Sequence, residues 1–168
     1  MASYILSSLL RYPVKSMAGE ELNAVDVSAR GLCGDRAYVL ADPVSGKVGS
    51  AKSVRRFADL LKCRVRFETP PSLENPISPV EITLPDGSLV RSAQPDAVQK
   101  LTAVFGEPLA LRTTAPGGLM LEFDAGTLGG KFSATTEVAL EGAPAGTFFD
   151  SSAVHLITTS TLRALQET

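Results

Sequence analysis

Short runs of alternating apolar and polar residues, each stopped by proline, glycine, aspartate or serine, fill the first two thirds of the chain and confine it to a mainly β fold. The clearest is VEITLPDGSLVRS, two β-rich runs folded about Pro85-Asp86-Gly87, which predicts a hairpin. CRVRFET sets Cys63, Val65 and Phe67 against Arg64, Arg66 and Glu68, the pattern of a half-buried strand. YILSSLLRYPV reads as a first strand, LNAVDVSA as a run of period near two, and RAYVLADP as a strand stopped by Asp42-Pro43. The turn residues of DPVSGKV predict that Ala37 to Asp42 folds back on Lys47 to Ala51.

Helical signals are fewer. SVRRFADLLKC carries Val54, Phe57, Ala58, Leu60 and Leu61 at helical spacing behind a Ser53 cap. PDAVQKLTAVFGEP carries Val98, Leu101, Val104 and Phe105, with Gly106 and Pro108 to end it. Each apolar stripe is expected to face the core and cover an open end of a barrel. After Arg112 the chain turns glycine-rich with weak strand-like pieces, and VHLITTSTLRALQET then reads as a strand followed by a helix. Thr158 to Thr161 offer N-caps, and Leu162 and Leu165 open an apolar face; the architecture is expected to need more polypeptide than the 168 residues supply.

A net charge of −2 gives no broad basic face, so neither nucleic acid nor an anionic membrane is an expected partner, and any anion site must be local. Arg11 and Lys15 follow the short N-terminal apolar stretch instead of preceding it, the wrong order for a secretory signal. No run approaches the roughly 20 apolar residues of a membrane helix. The two cysteines, Cys33 and Cys63, lack CxxC spacing and the chain has one histidine, which argues against zinc; a reduced, cytoplasmic protein is the expectation.

No GxSxG elbow accompanies His155, which reads as a structural or strand-surface histidine, and no phosphate-loop fingerprint occurs: Gly117-Gly118 and Gly129-Gly130 read as turns. Glu20-Glu21 reads as a solvated turn. Three spots remain: Lys15-Ser16 after Pro13; Arg36 in GLCGDRAYVL, where Gly31 and Gly34 permit close approach and Asp35 either orients the guanidinium or neutralises it; and Lys52 in GSAKS. Singly, each reads as a solvated surface charge. A cluster of them with a hydroxyl would suit a phosphate or similar oxyanion.

In order along the chain, YPVKSMAGEEL, GLCGDRAYVLAD, GSAKS and DSSAVHLITTSTLRAL resemble the N-terminal β-barrel domain of MOSC proteins and the opening strand and helix of the MOSC domain itself. The family includes the C-terminal region of molybdenum cofactor sulfurases and the mitochondrial amidoxime-reducing components. The resemblance implies a mainly β protein with a few short helices (α+β): an N-terminal β-barrel-like domain over 1–114, then an incomplete MOSC β-barrel domain over 115–168. It implies a part in binding molybdenum cofactor, a pterin with a terminal phosphate. Lys15, Ser16 and Arg36 match family positions that contact the cofactor's anionic end. Lys52 falls where many members carry arginine in a Thr-Ala-Arg-like triplet, and Thr158, Thr159 and Ser160 match the strand-to-helix turn that lines the cofactor cavity in relatives.

In the family, the cysteine that binds molybdenum or carries sulfur, and an Arg-Pro-Asn-like segment, lie downstream of the HLITTSTL element. Cys33 and Cys63 match neither position, so no metal or persulfide role transfers to them. The resemblance thus implies the N-terminal part of a molybdenum-cofactor-dependent oxidoreductase or sulfur carrier, inactive alone and served by a redox or sulfur-transfer partner protein. The alternatives are a stand-alone β-barrel binding module without cofactor and, last, a small hydrolase using His155.

Overall fold

A computed structural model describes residues 4–113, 120–123, 136–139, 148–150 and 152–167. Strands dominate: β1 Leu10–Arg11, β2 Glu20–Glu21, β3 Val27–Ser28, β4 Gly31–Leu32 and β5 Val39–Ala41 precede a one-turn helix, α1 Val54–Phe57, which tightens into a 3-10 turn over Ala58–Lys62. Then come β6 Arg64–Phe67, β7 Val80–Thr83, β8 Leu89–Arg91, α2 Ala97–Phe105, β9 Ala110–Arg112, β10 Met120–Phe123, β11 Thr136–Ala139 and α3 Thr159–Gln166.

The strongest sequence signals match the structure. β7 and β8 pair antiparallel with Ile82 opposite Val90, and β6 adds to the other edge of β7 with Val65 opposite Ile82. Along β6 burial alternates as CRVRFET requires: Val65 and Phe67 are buried, Arg64 and Arg66 exposed. The fold-back after β5 forms as well, through the Asp42 amide donating to Lys47 O at 2.8 Å and the Gly49 amide to Leu40 O at 2.7 Å. Val65, Ile82 and Val90 pack with Leu40, Leu60 and Leu101 in one core.

Several expectations need correction. No closed barrel forms among the described residues; strands of two to four residues fall into separate two- and three-stranded sheets. Pro13, Pro43, Pro70-Pro71, Pro76 and Pro79 interrupt the chain between strands, and each removes a ladder donor. The first strand contracts to β1: Tyr4, Ile5 and Leu6 lie exposed, with no strand alongside them among the described residues. LNAVDVSA likewise contracts to β3, whose two residues are exposed. Residues 154–157 form no strand, and Val154, Leu156 and Ile157 are exposed with no described ladder partner.

In α2 the buried residues are Ala97 and Leu101, with Phe105 packed partly beside them, so Leu101 and Phe105 lie on the core side as expected, while Val98 and Val104 are exposed and Ala97 completes the stripe at i, i+4. Gly106 ends the helix at φ 70° as predicted. Ser53 precedes α1 but its side chain makes no cap bond, and Leu61 is exposed. The expected Glu20-Glu21 turn is instead β2, paired with β1.

Between β1 and β2 the chain makes the excursion YPVKSMAG, and Gly19 lets it return. A Cβ on Gly19 would stand 2.0 Å from Arg11 O. Gly19→Ala should therefore cost at least about 2 kcal/mol, the upper range of overpacking penalties, because the neighbour is backbone and cannot rotate aside. Thermal melts check this; an unchanged Tm would show that the β1–β2 pairing does not hold the excursion.

Candidate functional site

Proline 13 has no amide to offer a ladder, yet its carbonyl and those around it are used fully. The Arg36 amide donates to Tyr12 O at 2.8 Å, the Tyr38 amide to Pro13 O at 2.9 Å, and the Lys15 amide to Tyr38 O at 3.0 Å. These bonds run Tyr12–Lys15 parallel to Arg36–Tyr38, bridging Val14 and Tyr38. Further along, the Ala18 amide donates to Cys63 O and the Val65 amide to Ala18 O, fastening the excursion to β6. Ser16 ties it to the GSAKS loop, its Oγ accepting from the Ala51 amide at 3.1 Å. Lys15-Ser16, Arg36 and the Lys52 loop, remote in sequence, are thereby drawn together.

Lys15 and Ser16 line a cavity of about 260 Å³ with Tyr12, Arg36, Asp150 and His155. The Lys15 side chain is only 5% exposed, not the solvated surface charge it reads as singly. It donates to Phe148 O at 2.8 Å and to Asp150 Oδ1 at 2.7 Å. Burial pulls its pKa down, and the Asp150 hydrogen bond and charge only partly oppose this. For Asp150 burial alone pushes upward, but Lys15 and Lys52 outweigh it and hold the carboxyl below 3.8. Lys52 bonds the other carboxylate oxygen, Oδ2, at 3.2 Å and is not among the residues that line the cavity.

Arg36 pairs with Asp35, a buried acid that also accepts the Tyr12 amide at 2.7 Å, so Asp35 orients the guanidinium and the strand beside it at once. The guanidinium lies 4.5 Å from the Tyr12 ring centroid and 5.7 Å from that of Phe149. Ser16 at φ 67° and Arg36 at φ 47° are the two non-glycine residues in the left-handed region among those described. That backbone costs roughly 1–2 kcal/mol per residue, and such strain gathers where surrounding structure fixes a functional geometry. Gly31 and Gly34 do permit close approach: a Cβ on Gly31 would stand 2.5 Å from Ala153 O, so this glycine seats the 152–155 segment that brings His155 to the cavity.

Thr158, Thr159 and Ser160 lie elsewhere. They sit exposed at the start of α3, outside the cavity lining, and Thr158 Oγ1 caps the helix by accepting from the Thr161 amide at 3.1 Å. Asp150, Tyr12 and Phe149 are site residues that sequence reasoning does not assign. A counter-charge 135 positions from its lysine leaves no local pattern to read. A larger cavity of about 300 Å³ shares Arg36 but is bounded by Leu73, Pro76 and Ile77, and the two lysines do not reach it. Cys33 lines that cavity; Cys63 is fully buried. Both are unpaired, and burial raises both thiols, Cys63 to about 11.

A family model described as the MOSC N-terminal beta barrel domain matches residues 3–103, a span that holds Lys15, Ser16, Arg36 and Lys52. The chain belongs to the MOSC family. Neither the curated proteins nor the solved structures contain a match.

Because its folded pKa is depressed, Asp150 contributes stability that is complete above its unfolded value of 3.8 and is lost as pH falls through the lower folded value. Asp150→Asn should cost on the order of 1 kcal/mol near neutrality, since solvent screens a side chain 42% exposed. Thermal melts of both proteins over pH should converge below pH 3.8; a gap that persists in acid would assign the loss to packing instead.

Proposed function

We propose that this MOSC-family chain holds the anionic end of molybdenum cofactor in the cavity built by Lys15, Ser16 and Arg36. The observation that carries this reading is the Lys15 ammonium, buried and aimed at a carboxylate on the cavity wall. An ammonium, a guanidinium and main-chain geometry fixed by Ser16 form a donor set suited to phosphate oxygens. At about 260 Å³ the space lies just under the roughly 300–1,000 Å³ of whole-ligand pockets, which suits a phosphate end better than an entire pterin.

Lys15 and Arg36 bind the anion, Ser16 holds the loop that carries Lys52, and Thr158, Thr159 and Ser160 contribute a second contact, as the family resemblance implies. The bound cofactor would supply redox-active molybdenum. Cys33 and Cys63 are poorly suited to ligate it, because burial disfavours the thiolate that metal or sulfur chemistry needs. The whole protein is then an oxidoreductase or sulfur carrier working with a redox or sulfur-transfer partner protein, and the residues described here bind and orient without catalysing.

A second reading, a binding module without cofactor, draws on apolar side chains left exposed at Tyr4, Ile5 and Leu6 and at Leu156, Ile157 and Leu165. The two separate on expression in a host that makes the cofactor. Pterin fluorescence after oxidation and molybdenum content should track the purified wild-type chain and fall about 10- to 100-fold in Lys15→Met and Arg36→Gln, the loss of one charged hydrogen bond each. Equal pterin content in wild type and both folded variants would overturn this cavity as the place of binding, and none in any of them would leave the binding module as the better account.

A further inference from the structure

Asp150 stands where a bound anion would stand. Its two oxygens divide between the two lysines, Oδ1 on Lys15 and Oδ2 on Lys52, as two oxygens of a phosphate would. The carboxylate and Lys15 both line the cavity, and the carboxylate is the more exposed of the two.

We propose that Asp150 is a built-in occupant of the lysine pair, displaced by an incoming oxyanion, and that the vacated pair favours doubly charged oxyanions over singly charged ones. The inference rests on the cavity being an oxyanion site. Three geometric facts support exchange. The Lys15 ammonium cannot leave: it is buried and tethered to Phe148 O. The Asp150 side chain can, being 42% exposed. The backbone beneath it stays, because Phe148 and Phe149 are each 2% exposed.

Selectivity follows from charge. Two ammonium groups, those of Lys15 and Lys52, contact the one carboxylate of Asp150, and Arg36 pairs with Asp35. Replacing one carboxylate by another monoanion gains no attraction and gives up an intramolecular contact. A dianion doubles the charge facing the lysines, while the released carboxylate is solvated at the surface.

Methyl phosphate, a dianion at pH 8, and dimethyl phosphate, a monoanion, differ little in shape and test this by calorimetry on the whole 168-residue chain. The wild type should bind methyl phosphate at least about tenfold more tightly than dimethyl phosphate, and in Asp150→Asn both esters should gain at least about tenfold, because expelling the same carboxylate weakens both by one factor. Methyl phosphate binding that requires Lys15 but is unchanged in affinity by Asp150→Asn would overturn the exchange and leave the oxyanion site standing. Weaker methyl phosphate binding in Asp150→Asn would also overturn it, making Asp150 a positioning residue for Lys15. Binding of neither ester, or binding indifferent to Lys15→Met, would overturn exchange and site together. Should Asp150→Asn not fold, the wild type suffices: the Asp150 side-chain carboxyl resonance in an aspartate-labelled sample should shift on saturation with methyl phosphate, and an unmoved resonance overturns the proposal.

Discussion

The parallel run of Tyr12–Lys15 beside Arg36–Tyr38 is the constraint on which the described structure depends. Three backbone hydrogen bonds hold it, and the excursion that follows is fixed at Ala18 to β6 and at Ser16 to the GSAKS loop. Each of these partners belongs to a different part of the chain, so one short segment ties the first strand, the central strands and the helix-bearing loop together. Its burial has a cost. Carrying Lys15 inward takes an ammonium out of water, and a cation whose folded pKa is lowered destabilises the fold as long as it stays protonated.

How much of this was legible in the sequence depends on range. The Val80–Arg91 hairpin, the alternation in Arg64–Phe67 and the stop of α2 at Gly106 are local matters of period and turn chemistry, and the structure agrees with them. Where tertiary packing decides, local pattern misleads. Val98 and Leu101 share a helical spacing, but the buried face carries Ala97 and Leu101. VHLI has strand-forming residues, but a strand is a relation between two segments, and no described segment pairs with 154–157.

The site divides in the same way. Lys15, Ser16 and Arg36 stand out beside proline and glycine, and the structure brings all three to one cavity. Their reading as separate solvated charges fails for Lys15 because nothing adjacent to it in sequence supplies the counter-charge; Asp150 does, from 135 residues away. The glycines of GLCGDR could be read as permitting close approach. What approaches Gly31 is Ala153, and that could not be read. Positive φ at Ser16 and Arg36 is likewise invisible in residue types that ordinarily avoid it.

Two buried cations of this domain serve different ends, and their partners tell them apart. Arg11 is 5% exposed and fully engaged: it holds Glu20 at 2.8 Å and Cys33 O at 3.0 Å and lies 4.7 Å from the Phe67 ring, closing the β1–β2 ribbon over the core. Lys15 is equally buried, yet its acidic partner is a half-exposed carboxylate on a cavity wall shared with a second lysine. A buried ion pair is weak grounds for stability, since an apolar pair of similar volume often does as well. Strained backbone at Ser16 and Arg36 adds to the cost, and the same cavity receives both. Stability alone therefore accounts well for Arg11 and poorly for Lys15, whose surroundings make chemical sense as a place where one negative group gives way to another.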